Sequence, residues 1–322
     1  MNVRDIVRKA WQVTQVHLKK LIWYGAVPAF FSTLVSSTYL AYQYNAFKQS
    51  ALFAEQEGVG LFKDIRFVWS IVSVHPKLTV FLVILGILIF IGYVLIPPIF
   101  RGTLIHALYR IKNYEPIMGS VEIGVRRFFP MFEFAIITGS FSIITVFTEA
   151  SFILRWWGES VFFITLPVLL FIAAVGLIAT FLFTYSEYFI ILEDRRLIES
   201  IKESVILVIS NLRKTILIFI LMLLIGARII LNVILILFIP MGVIILTSWL
   251  ATTFLHAIGF IIVGLFALAV LVVASYLMGL FNVFSTAVWV FTFAVLVDKQ
   301  NIPIKDVDLG GGHIKTEEPT AK

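Results

Sequence analysis

The sequence predicts an all-α protein, a polytopic transmembrane helical bundle of about six spans. Three observations carry this reading. Of 322 residues, 60% are hydrophobic and 14% charged, against about 45–50% and about 25% in soluble proteins, and the mean hydropathy is +1.02. The apolar residues gather in runs that match the length a bilayer crossing needs, about 20 residues. The basic residues gather between those runs, mostly on one side of them, as the orientation rule for membrane helices describes.

The elements follow in order. Residues 1–20 predict a cytoplasmic interfacial helix: Val3, Ile6, Val7, Ala10, Thr14, Leu18 and Leu21 share one face, and Arg4, Asp5, Arg8, Lys9, Gln12, Gln15 and Lys19 lie opposite. An apolar stripe against a basic polar face suits a helix lying in the membrane surface. The first span runs from Leu21 to Tyr42, longer than the apolar core of a signal peptide, and reads as uncleaved. Residues 43–77, with Glu55-Gln56-Glu57-Gly58, form an outer loop or cap. The further spans are Leu78 to Ile96, Met131 to Leu154, Val161 to Tyr185, Thr215 to Ile239 and Ala257 to Gly279. Met241 to His256 and Leu280 to Val297 are short for full crossings, and counting both as spans gives eight with the same parity. Ile99 to Lys112, opened by Pro97-Pro98, and Leu280 to Val297 suit helices along the bundle or the inner interface. Residues 1–300 thus form one integral membrane domain, and residues 301–322, with Gly310-Gly311-Gly312, a flexible cytoplasmic tail.

Orientation follows from the basic residues. Nineteen of the 25 Lys and Arg fall in the N-terminal segment, the second and fourth connections and the tail; five fall on the opposite side, and Arg228 lies inside a span. Both termini are therefore expected in the cytoplasm of a cell with a multi-pass inner membrane protein. The charge balance of +6 belongs to that pattern and to anionic headgroups, not to nucleic acid.

The amphipathic segment at the N-terminus has two counterparts. Ile198 to Lys214 places Ile198, Ile201, Val205, Val208 and Leu212 on one stripe, and Val121 to Pro130 is a weaker copy. Each ends in a basic pair before a span: Lys19-Lys20, Arg126-Arg127 and Arg213-Lys214. These six are the candidate lipid-headgroup residues. Three parallel repeats of an interfacial helix plus a helical hairpin would produce this pattern. So would any set of hydrophobic hairpins obeying the orientation rule, and both origins stay open.

Covalent chemistry finds no support. The chain has no Cys, no HExxH, GxSxG, phosphate loop or dinucleotide fingerprint, and its His residues are scattered. No cofactor and no enzyme activity are expected. The polar candidates inside the membrane are Arg228, Asn232 and Glu149. Arg228 lies about 20 Å into its span and Glu149 about 27 Å into another, at 1.5 Å per residue. A central Arg is costly in lipid and is paired or faces a cavity, so Arg228 is expected to contact Glu149 or, failing that, a polar group on another span. Glu133 and Glu187 lie near helix ends and read as solvated.

The segment Phe189-Ile190-Ile191-Leu192-Glu193-Asp194 leading to Ile201-Lys202-Glu203-Ser204, between an amphipathic helix and a span, resembles one group of bacterial membrane families. These are the YciC-like inner-membrane proteins and the membrane domain that precedes the catalytic domain in some glycerophosphodiester phosphodiesterases. The resemblance implies six spans in the cell membrane. The phosphodiesterase activity does not carry over, since the separate catalytic domain has no counterpart here. Two functions are expected: a non-enzymatic membrane protein that organises lipid or partner proteins, including copies of itself, or a transporter or lipid-handling permease with a polar site at Arg228.

Overall fold

The computed structural model describes residues 3–48, 76–229, 231 and 256–300, and among these every regular element is a helix. In chain order they are α1 (Val3–Lys48), α2 (Pro76–Lys112), α3 (Ser120–Arg126), α4 (Phe128–Ser140), α5 (Ile143–Trp156), α6 (Gly158–Leu182), α7 (Ser186–Leu192), α8 (Leu197–Ser210), α9 (Leu212–Ile229) and α10 (His256–Gln300). Four helical stretches are long and apolar enough to cross a membrane: Val3–Tyr39, Thr79–Lys112, Gly158–Leu192 and Leu265–Asp298. Two bent pairs, α4 with α5 at 49° and α8 with α9 at 100°, raise the count to six if each is one span. Most of the expected outer cap at 43–77, the segment Met241 to His256 and the tail at 301–322 lie outside the described residues.

Helix α1 is the first departure from expectation. It runs unbroken for 46 residues, so the segment at 1–20 is the first part of the same helix as the first span. Nothing before Pro28 breaks the backbone pattern, and Lys, Leu and Ala around residue 20 are good helix formers. The faces nevertheless sort as the stripe predicts: Ile6, Ala10, Thr14 and Leu21 are buried, while Arg4, Asp5, Arg8, Lys9, Gln12, Gln15 and Lys19 are exposed. The Thr14 hydroxyl is satisfied by the Ala10 carbonyl at 2.8 Å.

Helix α2 likewise passes through Pro97 and Pro98 without ending, and Leu280 to Val297 is the second half of α10. Each of these helices changes character along its length. Val80 to Leu95 of α2 is largely exposed and apolar, whereas Leu104 to Leu108 is buried; in α10 the exposed run around Leu265 to Tyr276 gives way to a buried run from Val283 to Val297. The expected single span Met131 to Leu154 is broken instead. Helix α4 stops at Ser140, and Ser142 caps α5 by accepting the Thr145 N–H at 3.1 Å, the local bond by which Ser competes with a continuing helix.

The core forms at the charged end of the bundle. The short helix α7 is buried along its whole length apart from Glu187, and packs against the second halves of α2 and α10 and against α8. Its rings, and that of Tyr185 just before it, interlock with those of α10: Phe189 and Phe293 meet edge to face at 4.9 Å, and Tyr185 and Trp289 at 5.7 Å. Such pairs contribute about 0.5–1.5 kcal/mol each beyond area burial. Salt bridges fasten the rim of this core, Lys112 to Asp298 at 4.0 Å and Arg127 to Asp194.

Two close crossings set the helix spacing. A Cβ on Gly279 of α10 would lie 2.5 Å from the Ala26 Cα of α1, and one on Gly25 would fall on the Gly279 carbonyl. A Cβ on Gly124 of α3 would meet backbone and side chain of α2 around Thr103. Small residues let helix backbones approach in this way, which is the main packing device where lipid removes the hydrophobic drive.

Helix α8 buries only part of the expected stripe: Val208 is buried and Ile201 and Val205 are half-buried, but Ile198 is 80% exposed and Leu212 is exposed, while Ser200, Ser204 and Leu207 turn inward. The reason is Ser204. Its hydroxyl donates to the Leu182 carbonyl at 2.7 Å and accepts the Tyr185 N–H at 3.0 Å, closing backbone groups left open where α6 ends and α7 begins. Satisfying those buried groups outweighs turning an isoleucine inward.

Candidate functional site

Two kinds of site were expected, a basic rim and a polar point inside a span. On the rim, Lys19 and Lys20 of α1, Arg126 at the end of α3 and Arg213 of α9 are exposed. Lys214 is half-buried. Arg127 is turned away from the rim: it pairs with Asp194 in the α7–α8 connection. The left-handed backbone of Asp194, with φ 59°, places that carboxylate beside α3, and this contact between elements distant in sequence is what the basic pair alone does not reveal.

Inside the spans, Arg228 and Glu149 are both exposed and form no ion pair with each other among the described residues. The bend between α4 and α5 redirects α5 and the residue it carries, so equal depth counted along straight spans does not bring the two together. Asn232 lies outside the described residues.

The ion pair within the helical body joins residues that spacing does not connect. Arg101 of α2 donates from Nε to Glu187 Oε2 of α7 at 2.7 Å and from Nη1 to Thr286 Oγ1 of α10 at 2.7 Å. Thr286 in turn donates to the Asn282 carbonyl at 2.6 Å. Glu187, expected as a solvated helix end, is therefore half of a structural pair, and its side chain is 22% exposed against 34% for Arg101. Among the described residues neither Nη2 of Arg101 nor Oε1 of Glu187 has a partner. The sequence held a signal for this pair. Arg101 interrupts the apolar run that follows Pro97-Pro98, and Glu187 interrupts the run from Tyr185 to Leu192, so each is a lone charge in a segment that is otherwise core.

The pair forms a wall shared by two cavities. One, about 540 Å³, lies between α1, α2, α4 and α10, with Pro28, Tyr93, Pro98, Met131, Met278 and Asn282 among its lining residues. The other, about 240 Å³, is bounded by Thr138, Thr180 and Thr184, by Phe134, Phe183 and Phe219, and by Tyr188 and Trp289. Tyr188 is 1% exposed and its hydroxyl has no hydrogen-bond partner among the described residues. Mostly apolar walls with a few convergent polar groups are the ordinary make-up of a small-molecule site.

Below the pair, Glu193 is buried at the start of the α7–α8 connection. Arg195 Nε stands 3.8 Å from its Oε2, and Oε1 has no partner among the described residues. Burial pushes the Glu193 carboxyl above the usual carboxylate range, with Arg195 pulling it back and Glu203 adding to the rise.

Compared with protein families, curated proteins and solved structures, the chain matches none.

Proposed function

We propose that this chain is a six-span integral protein of the cell membrane, both termini cytoplasmic, that organises lipid without covalent chemistry. One observation carries the reading: the surface is sorted along the helices. The outer half of α2 is exposed and apolar nearly all round, as are long stretches of α6 and the first half of α10. Exposed apolar surface on that scale needs lipid or a partner to cover it. Of the exposed cations, Arg126 and Arg213 sit at helix ends and Lys19 and Lys20 lie within α1 just before the apolar run that starts at Leu21; a basic residue beside an anionic leaflet contributes roughly 1 kcal/mol. The same reading takes the chain as three parallel units, supported by the meeting of α7 with the second halves of α2 and α10 in one core. It also agrees with what the resemblance to YciC-like membrane proteins implies.

The test is lipid composition. The chain and a variant with Lys19, Lys20, Arg126 and Arg213 all changed to Gln are reconstituted in nanodiscs from an equal mixture of phosphatidylglycerol and phosphatidylcholine. The wild type is expected to enrich phosphatidylglycerol around itself and the variant to lose most of that enrichment. Equal enrichment by both would remove the basic rim from the function.

A second reading, a lipid-handling permease, draws on the cavities beside Arg101. Its polar point is then Arg101 with Glu187, not the exposed Arg228.

A further inference from the structure

We propose that the Arg101–Glu187–Thr286 centre is the headgroup site of a zwitterionic glycerophospholipid, phosphate on Arg101 and ammonium on Glu187, with an acyl chain in the larger cavity. The inference rests on the membrane placement proposed above.

Charge is the first argument. The centre offers one guanidinium and one carboxylate at 2.7 Å, a net charge of zero, and it leaves Nη2 of the one and Oε1 of the other without a described partner. A guanidinium face suits phosphate oxygens, and a carboxylate beside it suits an ammonium. A headgroup carrying both charges satisfies the pair without leaving a net charge buried, whereas an anionic headgroup sets its own charge against Glu187.

Shape is the second. The larger cavity extends along α2 from Arg101 to Tyr93, about 12 Å by the helical rise. Arg101, Glu187 and Asn282 stand towards one end, and Tyr93, Val94 and Met278, with the hydroxyls of Ser32 and Thr33, towards the other. The end that carries charge points to the charged end of the bundle, and the uncharged end points to the exposed apolar halves of the helices. That is the order of groups in a phospholipid of the inner leaflet. The smaller cavity behind the pair, with the unpartnered Tyr188 hydroxyl, gives the headgroup hydration room.

The experiment uses the full chain, purified in detergent and stripped of lipid, with binding of dioctanoyl phosphatidylethanolamine and dioctanoyl phosphatidylglycerol measured separately by native mass spectrometry from about 0.5 M ammonium acetate, which screens the exposed basic rim. The wild type is expected to prefer phosphatidylethanolamine by about tenfold, the difference one charge-assisted hydrogen bond makes. Glu187→Gln removes the carboxylate and should invert the preference; Arg101→Gln should weaken both lipids. Ala135→Trp, which narrows the larger cavity from an exposed position on α4, should weaken both lipids without changing their ratio. The wild-type preference and Ala135→Trp decide the matter even where a change in the ion pair prevents folding. Equal binding of both lipids by the wild type, or no effect of Ala135→Trp, overturns the assignment. A chain recovered from cells in the soluble fraction overturns the membrane reading instead.

Discussion

At the scale of single residues, the charges that matter most are the ones buried among apolar neighbours. Glu193 has the clearest consequence. Its carboxyl titrates above its ordinary value because burial penalises the charged form. A group whose pKa is raised on folding adds stability below its unfolded pKa, about 4.3 for Glu, and that stability is lost as pH rises through the folded value. The detergent-solubilised protein should therefore melt at progressively lower temperature as pH rises from about 4. Glu193→Gln should flatten that slope and stabilise the protein by about 1 kcal/mol at neutral pH, since Arg195 is 41% exposed and keeps its water. Melting curves from pH 4 to 8 check this, and parallel slopes for the two proteins would contradict it. The pairing of Arg101 with Glu187 was not legible at this scale. The partners are 86 positions apart, and no spacing rule connects helices that meet only in the folded bundle. The lone charge within a core segment was the available signal, and it pointed to the residues without pointing to each other.

At the scale of elements, periodicity was a good guide where a helix packs by apolar contact and a poor one where it packs by hydrogen bonding. The stripe of α1 is buried as its spacing predicts. The stripe of α8 is buried only around Val208 and leaves Ile198 and Leu212 outside, because Ser204 must reach the open backbone groups between α6 and α7. Ser204→Ala leaves the Tyr185 N–H and the Leu182 carbonyl without that hydroxyl, at a cost of about 1–3 kcal/mol. Ser210→Ala, at an exposed position on the same helix, should be within about 0.5 kcal/mol of wild type. Denaturant or thermal unfolding of the two variants side by side measures the difference, and equal stability would mean the serine bridge contributes nothing. Helix ends were the least legible feature. Lys19-Lys20 and Pro97-Pro98 read as boundaries, yet both lie inside continuous helices, since basic residues are good helix formers and the neighbouring helices hold α2 together through its prolines.

At the scale of the molecule, the proposed topology can be read out directly because the chain contains no cysteine. Tyr114, in the α2–α3 turn, is 98% exposed, and Glu159 at the start of α6 is exposed as well. In intact cells, Glu159→Cys should react with a membrane-impermeant maleimide and Tyr114→Cys should react only after the membrane is opened. Labelling of Tyr114→Cys from outside would invert the orientation. The bundle as a whole is closed by the crossing of α1 and α10 at Gly25, Ala26 and Gly279, and this imposes a schedule on biosynthesis. The partner of Gly25 is made about 250 residues later, which at about 5–20 residues per second leaves α1 without it for roughly 10–50 seconds. During that interval the face around Gly25 has no α10 against it, and a chain cut short before α10 leaves Gly25 and Ala26 open.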